Sequence, residues 1–376
     1  MTPSTNASIP VLGNRSLNRA LLERQLLLRR SPMSPLEATE HLIGLQAQAP
    51  TPPYYGLHSR LERFSQTDLS DLIRSRQATR IALMRSTIHL VSARDCLALR
   101  PLIQPVLERQ YQGNYGRKMP GIDFAELAEA GRALVEERPL TFAELESALT
   151  GMAHWAEEDK HALSYAVRTY VPLVQVPPRG LWGESGQATH TSAEAWFGTA
   201  LDRSRDEEWL VERYLAAYGP ASINDFQTWS GLTRMSEVFR RMRPRLTIYK
   251  SEEGVELFDL ADASLPGEDV PAPVRFIAEF DNLLLSHAQR SRIIAEEYRK
   301  KIFTINGIIR SSVLLNGFVA GMWKIERVKG SATLNIELFR PATGQEQDEL
   351  ALEGNRLLDF AAADCTERDI RISVQP

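Results

Sequence analysis

The sequence predicts an α+β protein in which three helical modules, each closed by a β-hairpin, precede a mainly β C-terminal region. Three observations carry this. A helix-start device recurs at Ser34, Thr141 and Ser222. Each copy sits among amphipathic helical stretches and is followed by strand-forming residues. Beyond the Pro- and acid-rich linker ADASLPGEDVPAP the chain turns to β-branched and alternating segments. At 376 residues, with 43% hydrophobic and 24% charged content, the chain is long for one core, and several packed units are expected.

The first unit is expected over residues 14–100. SLNRALLERQLLLRR sets Leu17, Ala20, Leu21 and Leu28 on one helical face, and Ser34-Pro35-Leu36-Glu37 follows as a capping box with proline at the first helical position. PPYYGLHSRLE continues the helical pattern, and ATRIALMRSTIHLVS supplies the strands. The second unit, 122–192, repeats the order: DFAELAEAGRALVEE, the box Thr141-Phe142-Ala143-Glu144 with Leu140 and Leu145 as a staple, EEDKHALSYAVRTY, then the hairpin-like VPLVQVPPRGLWGES. The third, 203–262, runs DEEWLVERYLAAYG to a Gly stop, then Ser222-Ile223-Asn224-Asp225, SEVFRRMRPR and RLTIYKSEEGVELFDL. Helix, capped short helix, helix and hairpin is the order of a winged helix, an elaboration of the helix-turn-helix. Residues 274–376 are expected to form a mainly β domain, with Asn306-Gly307 and Asn316-Gly317 as tight-turn dipeptides and a closing amphipathic helix around GQEQDELALEGNRLLDFAAA.

Composition excludes several chemistries. The two cysteines, Cys96 and Cys365, supply no disulfide framework, CxxC pair or thiolate zinc site, and the seven histidines contain no HExxH. Phosphate-binding glycine loops are absent, so no cofactor and no metal are expected. No apolar run approaches the roughly eighteen residues of a membrane span, and MTPSTNASIPVLGNRS lacks the pattern of a secretory signal. The expected address is the cytoplasm. A net charge of -4 is unusual for a nucleic-acid binder, but cations gather locally: Arg234, Arg240, Arg241, Arg243 and Arg245 form one group, and Arg290, Arg292, Arg299, Lys300 and Lys301 another.

Five segments then carry a resemblance: HLIGLQAQAPTPPYYGLHSRL, MRSTIHLVSARD, LVQVPPRGLWG, YGPASINDFQTWSGL and AEFDNLLLSHAQRSRII. Together they resemble the winged-helix family of bacterial DNA glycosylases typified by AlkZ and YcaQ, in order from about residue 14 to about 340. The resemblance implies removal of alkylated bases, including unhooking of interstrand crosslinks. It also implies a catalytic motif of two polar residues flanking a hydrophobic one, which falls here on Gln46, Ala47 and Gln48.

Chemistry is compatible with that assignment. Glutamine is neither a general base at neutral pH nor a nucleophile that forms a glycosyl intermediate. An N7-alkylated purine, however, already carries positive charge and leaves as a neutral base. The remaining task is to steady an oxocarbenium-like sugar and hold a water beside it, which amides do weakly and adjacent phosphates reinforce. Gln46 and Gln48 are expected where the capped helix ends, sharing a face of an extended i, i+2 segment; the competing reading is a helix C-terminus with glutamines bonding free carbonyls.

Candidate DNA contacts are Tyr54 and Tyr55 as stacking rings, with core packing as the alternative; Arg85, Thr87 and His89 alternating on the first wing; Arg179 and Trp182 at a second wing tip; and Arg310 beside the Asn306-Gly307 turn. Asp281 is the one acid singled out as a secondary catalytic group, against a capping role. The expected partner is double-stranded DNA with alkylated purines, met by a monomer at a solvent-open site that does not flip the base into a deep pocket. The competing functions are a non-catalytic winged-helix DNA-binding protein or transcription regulator, a nuclease, for which no clustered carboxylates are visible, and a protein scaffold.

Overall fold

The computed structural model describes residues 9–375; the first half of the stretch read against a secretory signal lies outside them. Helices and sheets mix in an α+β arrangement, and the chain divides into two compact units. One holds Pro32–Glu207 and Ser230–Leu232. The other holds Glu208–Trp229, Thr233–Pro376 and the described residues up to Ser31.

In the first of these, helix Pro35–His41 starts at Ser34, whose hydroxyl accepts from the Glu37 amide while the Glu37 carboxylate accepts from the Ser34 amide. The reciprocal pair satisfies two donors that a helix start otherwise leaves open. Strand Leu45–Gln46 and helices Pro52–Arg60 and Gln66–Arg74 follow, then strands Ala78–Ala82 and Ile88–Ser92. The next element was not anticipated: a helix of 23 residues, Ala93–Tyr115, contains Pro101 and Pro105. Proline removes the donor that would serve the carbonyl four residues back; the Leu97 carbonyl freed by Pro101 instead accepts from the Asp202 amide at 3.1 Å. Helices Phe124–Glu137, Phe142–Thr150 and Lys160–Tyr170 close around a core that includes Tyr111, Leu127, Leu145, Leu149, Leu163 and Val167.

Strands Leu173–Val176 and Thr189–Ser192 then join a five-stranded antiparallel sheet in the order 45–46, 88–92, 78–82, 173–176, 189–192. The hairpins expected after the first two helical runs thus share one sheet. The PPRGLWG segment is a loop between Leu173–Val176 and its partner strand, which lies further along the chain than expected.

The second unit contains helices Glu207–Tyr218, for which residue 207 alone falls outside the unit, and Ser236–Met242, with hairpin Leu246–Ser251 and Glu256–Leu260 extended by Val11–Leu12. Helix Asn14–Arg24 also belongs here, so the expected first module, 14–100, is divided between units. Its buried polar groups explain why. Asn18 donates to the Arg292 and Gly317 carbonyls at 2.8 Å each, and Arg24 forks onto Asp259 at 2.7 Å.

The C-terminal sheet has the order 367–374, 331–338, 318–328, 312–315, 275–277, antiparallel except for the parallel pairing of the first two. Asn316-Gly317, with φ of 47° and 84°, makes the expected tight turn. Helix Gly344–Ala361 closes the helical pattern, and Glu367–Val374 adds a strand the sequence reading left out. The segment VRFIAEFDNLLLSH is strand only at Arg275–Ile277 before turning helical at Asn282–Leu285.

Candidate active site

The Gln-Ala-Gln segment is placed by a helix stop. After His41 the chain takes two left-handed residues, Ile43 at φ 56° and Gly44 at φ 84°, with the Gly44 amide returning to the Thr39 carbonyl. A Cβ on Gly44 would lie 2.5 Å from Val91 Cγ1 and 2.7 Å from the Leu90 carbonyl oxygen, so only glycine lets the backbone approach its neighbour. Leu45 and Gln46 then pair with Leu90 and His89, and the Ala47 amide donates to the Ile88 carbonyl. The glutamines therefore lie on an edge strand and its continuation; neither caps a helix.

Their surroundings differ. Gln46 is 6% exposed and its Oε1 accepts from Arg85 Nη2 at 2.6 Å. Gln48 is exposed, and its Oε1 accepts from the Ile88 amide at 3.0 Å. Both partners can only donate, so each bond identifies the oxygen end of its amide.

Arg85 sits at the tip of the turn between Ala78–Ala82 and Ile88–Ser92, where Arg85 and Ser86 are both left-handed at φ 55° and 60°. Such a pair of non-glycine residues is strained by roughly 1–3 kcal/mol apiece and persists only where surrounding bonds hold it. Here the Leu83 amide donates to the Thr87 carbonyl, the Ser86 amide to the Leu83 carbonyl, and Arg168 Nη2 to the Ser86 carbonyl at 3.1 Å. Arg80, 3% exposed, donates to the Ala47 carbonyl at 2.6 Å, while its Nε and Nη1 have no hydrogen-bond partner. Burial, with the Arg179 charge acting in the same direction, lowers the Arg80 guanidinium to about 10, so it stays cationic at neutral pH. Arg80, Arg168 and Arg179 thus bond backbone carbonyls, of Ala47, Ser86 and Gly186 respectively. Their charges are spent on no carboxylate, which makes this region electropositive within an acidic chain.

The expected wing residues separate. Arg85 and Thr87 are half-buried, and Thr87 Oγ1 donates to the Met84 carbonyl. His89 is fully buried and cannot face DNA as expected; strand alternation turns it to the face that Gln46 also occupies, not to solvent. Burial drives its imidazole down to about 3, the Arg85 charge adding to the effect against a bond between Nδ1 and the Thr87 carbonyl, so the ring is neutral.

Tyr54 is 1% exposed, its hydroxyl donating to the Gly180 carbonyl at 2.8 Å and contacting Ser70 Oγ at 2.9 Å. Its ring is core and offers no stacking face. Tyr55 and Trp182 are half-buried and meet edge to face at 5.7 Å. In the other unit, exposed Arg310 borders a cavity of about 700 Å³ on the C-terminal sheet, with Glu279, Met322, Trp323 and Lys324. Asp281 is buried and caps helix Asn282–Leu285 through the Leu283 amide, the structural role weighed against catalysis.

The first expected cationic cluster is largely neutralised: Arg240 pairs with Glu237, Arg241 and Arg245 with Glu208, and Arg243 with Glu256; in the second, Arg299 pairs with Glu296 and Arg292 is buried on the Pro220 carbonyl. Two cations near the glutamine segment and its neighbouring turn were not singled out from the sequence, Arg80 and Arg168. Arg80 stood in plain view within a strand pattern, where a lone charge at an otherwise buried register position is itself a signal. Arg168 carries no such mark, since an arginine in the last turn of an amphipathic helix is ordinary. Among the described residues no group of three His, Cys, Asp or Glu side chains is arranged to hold a metal ion, and no helix is long and apolar enough to cross a membrane.

Comparison with known proteins bears on this geometry. A family model described as DNA glycosylase AlkZ-like matches residues 39–360. An interstrand DNA cross-link repair glycosylase of Streptomyces sahachiroi is 24% identical over 328 residues, covering 81% of this chain and 85% of that protein. The solved structure of Streptomyces sahachiroi DNA glycosylase AlkZ superposes with a TM-score of 0.77 at 20% identity, over 96% of this chain and all of the other, a likeness of fold.

Proposed function

The chain belongs to the AlkZ-like DNA glycosylase family, and from that premise we propose that it excises N7-alkylated purines from duplex DNA, with Gln46 and Gln48 as the catalytic pair. The single observation that supports the pair is that both amides project from one edge-strand segment with their oxygens anchored by fixed donors, beside cations that bond only backbone. Fixed amides suit a reaction that needs orientation more than proton transfer, because the alkylated base leaves neutral. Of the two, the exposed Gln48 is the better placed to hold the attacking water. Buried Arg80 favours DNA phosphates, whose negative charge in turn steadies the sugar cation.

The same reading extends to crosslinks, which the Streptomyces relative is named for repairing; exposed Gln48 suits an adduct too bulky to enter a closed pocket. Three winged helices are proposed as the scaffold. Support comes from a pairing that repeats: a residue between the first and second helices of each module pairs with the last strand of its hairpin, as Gln46 with His89, Leu140 with His190 and Ala221 with Phe258. By that rule the first module begins at Ser34, and the Ser34 box stands one helix earlier than those at Thr141 and Ser222. A cytoplasmic monomer acting without cofactor, with Tyr55, Trp182, Arg179 and Arg310 as DNA contacts, completes the proposal.

A release assay on oligonucleotides bearing 7-methylguanine or an N7-linked crosslink tests it. The double variant Gln46→Ala/Gln48→Ala is expected to lose roughly 10²-fold or more in single-turnover release while still binding duplex. Release at the wild-type rate from that variant would remove the glutamines from the chemistry, and no release by the wild type would remove alkylated purines from the substrate.

A further inference from the structure

We propose that Arg85 is the positioning residue of this site, and that it makes the two glutamines chemically unequal. The inference rests on the reading of Gln46 as catalytic. Arg85 Nη2 reaches Gln46 Oε1 at 2.6 Å, a charge-assisted bond to a side chain that is nearly inaccessible to solvent. A guanidinium only donates, so the bond fixes both the rotamer of Gln46 and which end of its amide turns away from Arg85.

The backbone is organised to deliver that contact. Arg85 and Ser86 occupy successive left-handed positions, and Arg168 clamps the Ser86 carbonyl. Gly231 closes the third side: a Cβ there would stand 3.3 Å from the Arg85 amide nitrogen, tighter than side chains ordinarily pack. Strain held from several directions and converging on one catalytic side chain is the pattern of a pre-organised site. A residue meant only to sweep DNA phosphates needs no such turn.

The consequence is a division of labour. A cation on the Gln46 oxygen draws electron density through the amide, so its Nε2–H groups become stronger donors and its oxygen a poorer ligand for a sugar cation. Gln48 receives only a neutral backbone N–H, from Ile88, and keeps the more electron-rich oxygen. Gln46 is thus the weaker acceptor of the pair, held in place by Arg85, and Gln48 is the acceptor side, toward the water.

A double-mutant cycle separates this from a phosphate contact. Single-turnover release of 7-methylguanine is measured for Arg85→Ala and Arg85→Lys, each in the wild-type and Gln46→Ala backgrounds, with the salt dependence of binding to undamaged duplex alongside. Arg85→Ala is expected to slow release about tenfold or more, Arg85→Lys to recover part of it, and neither to slow the Gln46→Ala protein further. The salt slope stays unchanged. Equal losses in both backgrounds, or a slope reduced by about 0.9 for one phosphate contact, would overturn the inference, as would a wild-type rate for Arg85→Ala. If Arg85→Ala does not fold, Arg85→Met and Arg85→Lys complete the same cycle. Failure of the glutamine reading looks different: Gln46→Ala would then release at the wild-type rate whatever occupies position 85.

Discussion

Tyr54 shows how far a residue's role depends on what surrounds it. A pair of tyrosines at a helix start beside a glutamine motif reads equally as a stacking platform or as core, and the hydroxyl decides: both of its hydrogen bonds are internal, to Gly180 and Ser70. Tyr54→Phe leaves the Gly180 carbonyl without that donor, and chemical denaturation is expected to show a loss of about 1–2 kcal/mol. Duplex affinity should not change; a fall of threefold or more would return the ring to the DNA interface. His89 fails as a DNA contact for a related reason. Alternation along the strand was legible, but which face is covered was not, because that depends on a sheet assembled from strands far apart in sequence.

At the scale of elements, local signals were read well where the physics is local. The capping boxes at Ser34, Thr141 and Ser222 all form, since each needs only four consecutive residues. The helix Ala93–Tyr115 lies in a stretch to which the sequence reading assigned no helix; it contains two prolines, and the donor that serves the carbonyl left open by Pro101 is the amide of Asp202, about a hundred residues away. The Gly44 stop belongs to this scale too. Gly44→Ala meets both a left-handed φ and a contact at 2.5 Å with Val91, so a loss of about 1–3 kcal/mol in unfolding free energy is expected, together with slower base release as the Leu45–Leu90 register shifts. A variant as stable and active as the wild type would show that the strand does not rely on that close approach.

Across the whole molecule, burial decides which histidines can carry charge. The surface arginines are mostly matched by carboxylates, while the histidines His89, His190 and His287 are buried and neutral, burial pushing the first two down to about 3 and about 4 and the third in the same direction. An unfolded histidine titrates near 6.5. Between that value and the lowered folded values the unfolded chain binds more protons, so stability is full above about 6.5 and is lost as pH falls. Each histidine contributes a slope of up to about 1.4 kcal/mol per pH unit in that window. Thermal melting is expected to drop steeply between pH 6.5 and 4.5, and a flat profile there would mean the rings are protonated in place.

What the sequence determined alone was what short range suffices to specify: the α+β order of elements, the helix caps, the tight turn at Asn316-Gly317, and a glutamine pair spaced two residues apart. What only the tertiary structure decided was orientation and company. Gln46 became buried and cation-bound while Gln48 stayed exposed, because the edge strand carrying both leans on a partner forty residues downstream whose turn bends Arg85 back over the first amide. Hydrogen bonds and burial between distant segments set that difference, and no spacing along the chain encodes it.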